Sequence, residues 1–183
     1  MGELKEKMEL MSKADTRRVL RRMAVEILER NGGVDNLVIL GIQTKGVYIA
    51  RELTRMIEEM EEAPVPIGTL DITFYRDDLT VLAEHPVVKG TDIPFSVQDK
   101  KIVLVDDVLY SGRTIRAAID EIFDMGRPAK VELAILVDRG HRELPIRADY
   151  IGRDIPTSGK EYIDAQIEED GTVGRVILGI KTG

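Results

Sequence analysis

The chain has 183 residues, 43% of them hydrophobic and 32% charged, with a net charge of −7. This suits one α/β domain around a single core, and the acidic balance argues against uniform coating of nucleic acid while leaving room for a local basic patch. There is no cysteine for disulfides or thiolate chemistry, two histidines (His85 and His141) do not make a structural zinc site, and no run of ~20 apolar residues or apolar leader suggests a membrane span or a secretory signal.

Residues 1–11 are charged and rich in Met. They are compatible with a strand, a short helix or a disordered lead-in. Ser12 to Asp15 reads as a capping box. The following helix is expected to run to about Arg30, with Leu20, Met23, Ala24, Ile27 and Leu28 as its apolar stripe. Asn31-Gly32-Gly33 stops it, because these residues accept left-handed backbone. The opposite face carries Arg17, Arg18, Arg21 and Arg22. Such a face is most often simply solvated, but planar guanidinium forks suit phosphate, so RNA is a second reading.

Leu37 to Ile42 reads as a strand, followed by Gln43-Thr44-Lys45-Gly46 and a helix to about Met60. Thr44 and Lys45 can meet an anion, and Gly46 permits a tight backbone. No Gly-Lys-Ser/Thr occurs in the chain, which sets aside a Walker-type phosphate loop. Pro64 and Pro66 close a linker. Ile67 to Tyr75 alternates like a strand and runs into Arg76-Asp77-Asp78 and a long polar segment ending near Asp99. A connection of that length often marks a lid.

Residues 101–118 carry the chemistry. Ile102 to Val105 is an apolar, β-branched run, as in a central strand of a parallel sheet. Asp106 and Asp107 follow, then a loop from Val108 to Gly112. Apolar spacing at Ile115, Ala118, Ile119 and Ile122 signals a helix. Ligands of open α/β sheets bind at the carboxyl ends of strands. A helix N-terminus there favours phosphate. Ser111 and Thr114 add hydroxyls, and Gly112 lets the backbone approach an anion. The two acids cannot share that phosphate, so they face sugar hydroxyls or hydrated Mg²⁺. Phosphate at one end and vicinal hydroxyls in the middle describe a ribose 5-phosphate. The plain alternative, two helix-capping acids, needs only one side chain.

Gly126-Arg127-Pro128 stops that helix. Lys130 to Val137 is a further buried strand, leading into Asp138-Arg-Gly-His-Arg-Glu-Leu-Pro-Ile-Arg-Ala-Asp-Tyr-Ile-Gly152 and Asp154-Ile-Pro-Thr-Ser158. From Ile163 to Lys181 the pattern gives two strands around a turn at Glu168-Glu-Asp-Gly171, with no chemistry apparent.

Asp106-Asp107-Val108-Leu109-Tyr110-Ser111-Gly112-Arg113-Thr114 resembles the signature for phosphoribosyl pyrophosphate (PRPP) in type I phosphoribosyltransferases. Its closest resemblance is to the PyrR family, supported by Asp71 to Leu79, Asp138 to Gly152 and Asp154 to Ser158. The resemblance spans roughly residues 12–160. It implies an α/β fold, a mainly parallel sheet flanked by helices, in a single domain over residues 1–183. A small hood would be formed mainly by about 138–165, and a mobile loop would cover about 71–98. It implies uracil phosphoribosyl transfer, with uracil and PRPP giving UMP and pyrophosphate, and UMP-responsive binding of an mRNA leader stem-loop that attenuates pyrimidine genes.

In this resemblance Asp106 and Asp107 hold the ribose hydroxyls, with Mg²⁺ carried by PRPP and linked through water rather than bound directly. Residues Val108 to Thr114 take the 5-phosphate. Thr44, Lys45 and Gly46 meet pyrophosphate, with Lys45 standing where related proteins usually carry Arg, and Arg76 joins when the loop closes. Val137, Asp138, Arg139 and Ile155 read uracil or UMP. Arg17, Arg18, Arg21, Arg22, Arg30, His141, Arg142, Arg147 and Arg153 form the RNA surface. A cytoplasmic homo-oligomer, dimer or higher, is implied. A phosphoribosyltransferase for another base, without RNA regulation, is the alternative.

Overall fold

The computed structural model describes residues 3–73 and 90–182. Its centre is a five-stranded parallel sheet in the order β3-β2-β4-β5-β6. The strands are β2 (Leu37–Ile42), β3 (Ile67–Leu70), β4 (Lys101–Leu109), β5 (Lys130–Asp138) and β6 (Tyr150–Asp154). Successive side chains leave a strand on opposite faces. Ile39, Val103, Val105 and Ala134 therefore pack on one side, against helices α1 (Lys13–Asn31) and α2 (Lys45–Glu61). Leu40, Ile102, Leu104 and Ile135 pack on the other, against α3 (Arg113–Met125). Two covered faces explain why β2 and the first half of β4 read as unbroken apolar runs.

The capping box forms as expected: Ser12 Oγ accepts from the Asp15 N–H at 3.1 Å, and Asp15 Oδ2 accepts from the Ser12 N–H at 3.2 Å. Gly32 closes α1 in the left-handed region at φ 67°. Gly41 is a different case. A methyl group there would lie 2.6 Å from Val47 Cα and 2.9 Å from Ala50 Cβ, so only glycine lets β2 and α2 meet this closely.

A second sheet is antiparallel, β1-β8-β7, built from β1 (Glu3–Met11), β7 (Glu161–Ile167) and β8 (Val173–Thr182). We call this second sheet the hood; of the expected hood span, 138–165, it contains the start of β7. Tyr150–Asp154 instead extends the central sheet as β6, paired in parallel with β5. Residues 3–11, compatible with three conformations on sequence alone, form one of its two edge strands, β1. The expected hairpin is present, with Gly171 at φ 82° and the Glu168 N–H donating to Thr172 O at 2.9 Å.

Two strand ends also differ from expectation. β4 continues through Asp106 and Asp107 to Leu109, because β5 supplies pairing partners as far as Asp138. The acids thus sit within the strand, and Val108 and Leu109, expected in the loop, extend it. β3 stops at Leu70, because the Asp71 carboxylate accepts from the Thr73 N–H at 3.1 Å and folds the chain into a turn. Part of the expected mobile loop is pinned here: Asp92 bridges to Thr69, and Thr91 Oγ1 accepts from the Asp71 N–H at 2.8 Å. Arg76 and the rest of that loop's centre lie outside the described residues.

Candidate active site

The carboxyl ends of β2 and β4 bring two anion-directed loops side by side. Gly46 in the first turn of α2 lies directly on β4: a methyl group there would fall 2.5 Å from Val105 O and 3.2 Å from Asp106 Oδ1. Thr44 precedes it as the N-cap of α2, after a cis Gln43-Thr44 peptide. Gly112, at φ 93°, turns the chain from β4 into α3. Both helices direct their N-termini, with their positive dipole ends, toward the same edge of the sheet; in α3 the Arg113 N–H donates to Ser111 Oγ at 3.3 Å.

Two cavities open at this edge. One, of about 370 Å³, is lined by Val108, Leu109, Tyr110, Ser111, Gly112, Arg113, Thr114, Ile115 and Glu143. The other, also about 370 Å³, is lined by Gln43, Thr44, Asp71, Ile72, Thr73, Gly90 and Thr114. Thr114 walls both. The first is shaped by the strand-to-helix turn and stitched to the loop beyond β5, because Ser111 O accepts from the Glu143 N–H at 2.9 Å and Arg113 Nε donates to Glu143 at 2.7 Å.

Asp106 is buried and Asp107 half-buried. Burial, and then the neighbouring Asp107 carboxylate, push Asp106 well above the usual carboxylate range, partly offset by the Asp107 N–H donating to its Oδ1 at 2.9 Å. A buried acid beside a second acid favours a ligand that brings donors or positive charge. Two carboxylates beside a phosphate-bearing substrate fit Mg²⁺, which keeps several waters and takes one or two carboxylates plus phosphate oxygens.

Beyond β5, Arg139 is a structural anchor. Its guanidinium lies 4.3 Å from the Tyr110 ring centroid and donates to Thr157 Oγ1 at 2.8 Å and Glu161 O at 2.6 Å. Asp138 accepts from the Gly140 N–H at 3.0 Å and pairs with Arg142. Val137, Asp138, Arg139 and Ile155 do come together, but two of their N–H groups are already spent. Arg139 N–H donates to Leu109 O at 3.1 Å, and Ile155 N–H to Asp138 O at 2.8 Å.

The arginines expected to face RNA divide into two sets. Arg17, Arg21, Arg147 and Arg153 are exposed, and Arg18 pairs with Asp15 on the helix surface; Arg22 and Arg30 are exposed too but are tied to neighbours in the fold. Arg22 donates to Gly152 O at 2.7 Å and Ile151 O at 3.1 Å, tying α1 to β6. Arg30 sits 5.6 Å over the Tyr150 ring and 3.3 Å from Asp149. Arg142 donates to Ile146 O and Tyr110 O, both at 2.8 Å. His141, at φ 63°, is bonded to Thr157 O, its ring 5.2 Å from that of Tyr110.

Lys45, expected to meet pyrophosphate, has a partner in the hood. It does not wall the second cavity; its ammonium pairs with Asp164 on β7 of the hood. Asp164 lies in the tail, where sequence reasoning found no chemistry. Gln43, Asp71, Thr73, Gly90 and Glu143 were likewise missed as cavity walls. Only Asp71, at the foot of the expected lid, carried a local signal.

The phosphoribosyl transferase domain family matches residues 12–182. The bifunctional protein PyrR of Pelotomaculum thermopropionicum is 53% identical over 174 residues, covering 95% of this chain and 96% of the relative. The chain belongs to the PyrR family. A second bifunctional protein PyrR, from Bacillus mycoides, is 52% identical over 177 residues, covering 96% of this chain and 98% of the relative. Among solved structures, a hypoxanthine-guanine phosphoribosyltransferase of Bacillus anthracis superposes with a TM-score of 0.70 at 20% identity, covering 97% of this chain and 99% of that one. A hypoxanthine phosphoribosyltransferase of Trypanosoma cruzi gives 0.72 at 18% identity over 93% of this chain and 95% of its own. At such identities these two establish the shared phosphoribosyltransferase fold, while PyrR membership rests on the sequence relatives. No helix among the described residues is long and apolar enough to cross a membrane.

Proposed function

We propose that this PyrR protein transfers the phosphoribosyl group of PRPP to uracil, giving UMP and pyrophosphate, and that UMP in the same pocket promotes binding to an mRNA leader stem-loop, attenuating pyrimidine genes. The observation that carries the enzymatic half is the pair of cavities meeting at Thr114. They offer a place for the 5-phosphate and a place for pyrophosphate, with Asp106 and Asp107 at the adjoining strand end. The relatives' shared name, bifunctional protein PyrR, supports the second activity.

In the reaction the bond from C1′ to the pyrophosphate oxygen breaks and a bond from uracil N1 to C1′ forms, as N1 gives up its proton. No covalent nucleophile is required, so the protein's task is positioning and offsetting charge. Asp106 and Asp107 accept from the ribose hydroxyls. The hydroxyls and N–H groups from Ser111 to Thr114 hold the 5-phosphate, and those of Thr44 to Gly46 meet pyrophosphate. Asp106 and Asp107 would hold, through water, the Mg²⁺ that accompanies PRPP, which would supply positive charge to offset that of the leaving group. Uracil lies against Val137, Asp138, Arg139 and Ile155, read by groups other than the two N–H donors already spent. The exposed arginines of α1 and β6 meet RNA phosphates in a cytoplasmic dimer or higher oligomer.

Purified protein with PRPP and Mg²⁺ should release pyrophosphate when given uracil, and not with cytosine, orotate or hypoxanthine. Turnover of hypoxanthine instead would overturn the assignment in favour of the purine chemistry named for the structural neighbours. A leader hairpin should bind more tightly with UMP than without, and more tightly than its scrambled sequence.

A further inference from the structure

Lys45, Tyr48 and Glu52 share one face of α2, at spacing i, i+3 and i+7. All three meet the hood. Lys45 pairs with Asp164 of β7. The Tyr48 ring lies under Gly171, where a methyl group would be 3.7 Å from it. Glu52 Oε1 accepts from the Val173 N–H at 3.1 Å. The hood is thus fastened along the helix whose N-terminus forms the pyrophosphate loop, and the last fastening uses that loop's cation.

We propose that Asp164 is a positioning residue for the leaving group, competing with the pyrophosphate oxygens for the ammonium of Lys45. The Lys45 and Asp164 side chains are 34% and 33% exposed. One-third in solvent, such a pair is weak and exchangeable, and Lys carries its charge on a flexible stem that can swing between partners. A multiply charged pyrophosphate at the wall formed by Gln43 and Thr44 takes Lys45 over, and the fastening between α2 and β7 opens. On departure of the product Asp164 reclaims Lys45, which keeps the hold on pyrophosphate weak. The inference rests on the assignment of the cavity at Thr44 to pyrophosphate.

The test is Asp164→Asn, which removes the competing charge and leaves the side-chain shape. Releasing an exposed pair should lower KM for PRPP by about two- to five-fold. Pyrophosphate should become a stronger product inhibitor by the same factor, with KM for uracil unchanged. Asp164→Glu should restore the parental values, and in a Lys45→Met background the effect of Asp164→Asn should vanish. A residue that only braces the hood would change the melting temperature without this pattern. Direct calorimetry with magnesium pyrophosphate separates the two readings. A parent active on uracil whose KM for PRPP and pyrophosphate affinity do not move in Asp164→Asn overturns the role of Asp164 alone. A parent inactive on uracil, with pyrophosphate binding tightened in Asp164→Asn, overturns the uracil assignment and keeps the role of Asp164.

Discussion

Gly46 and Asp106 are in contact across the seam between α2 and β4: a methyl group on residue 46 would lie 3.1 Å from Asp106 Cα and 2.5 Å from Val105 O. The loop proposed to meet pyrophosphate and the acidic strand end are therefore placed by each other. Gly46→Ala must push backbone against backbone, and overpacking of this kind typically costs about 1–3 kcal/mol. The variant should lose that much in urea unfolding, and its kcat/KM for PRPP should fall further than its stability does, because the displaced groups are those that hold the substrate.

Asp106 and Asp107 adjoin in sequence but differ in surroundings. Burial holds Asp106 well above the usual carboxylate range. The folded state then binds a proton that the unfolded state has already lost, so stability falls as pH rises from the ordinary carboxylate range through the folded value. Asp106→Asn removes that cost and keeps an oxygen for the Asp107 N–H. At neutral pH it should unfold about 2–4 °C higher for each ~1 kcal/mol recovered, with the gain vanishing at pH below 3.8. Asp107→Asn removes the carboxylate that helps push Asp106 up, so its melting temperature should rise by less than in Asp106→Asn, while kcat/KM for PRPP should fall about 10²-fold through misplaced substrate. Unchanged PRPP kinetics in Asp107→Asn would remove that residue from the site.

The legible parts of this fold are those fixed by neighbours in sequence. The Ser12 box, the Gly32 stop, the apolar run of β2 and the hairpin at Gly171 depend on side chains a few residues apart. The end of β4 was misread because the pairing that extends it to Leu109 comes from β5. β6 was misplaced for the same reason: Tyr150–Asp154 carries no sign of which sheet it joins. In the site, the PRPP signature was visible as a strand, acids and a turn. The partners of Lys45, Arg22 and Arg142 were not, because Asp164 and the carbonyls of Gly152 and Tyr110 reach them only through the tertiary fold.

Glu161 gives the hood an acid limit. The Lys7 ammonium and the Ser158 N–H hold its carboxyl down at about 2, against the ordinary 4.5. A depressed acid contributes stability above its unfolded value and loses it as pH falls toward the folded one. Lys7 reaches Glu161 across β8, at 2.8 Å, so the pair clasps the two outer strands of the hood. Protection of the amides of β1 and β7, taken relative to their intrinsic exchange rate at each pH, should fall as pH drops from 4.5 toward 2, before that of the central sheet does. In Glu161→Gln the hood should already exchange faster at neutral pH and show little further acid dependence in that window.

The two sets of arginines on the proposed RNA surface should separate cleanly in experiment. Arg22 and Arg142 spend their guanidinium groups on backbone carbonyls of the same chain. Truncating either strips those carbonyls of their partners and should lower the melting temperature. Arg17 and Arg21 are exposed on α1, and their loss should leave the fold untouched. If they meet phosphate, each should flatten the slope of log affinity against log salt by about 0.7–0.9, because each contact releases a counterion. Binding to specific and scrambled hairpins should weaken together in Arg17→Ala, since a phosphate contact carries no base information. Arg17→Ala and Arg21→Ala proteins with parental salt slopes would move the RNA surface away from this face of α1. A lowered slope in Arg22→Ala without loss of stability would mean that Arg22 leaves Gly152 to meet RNA.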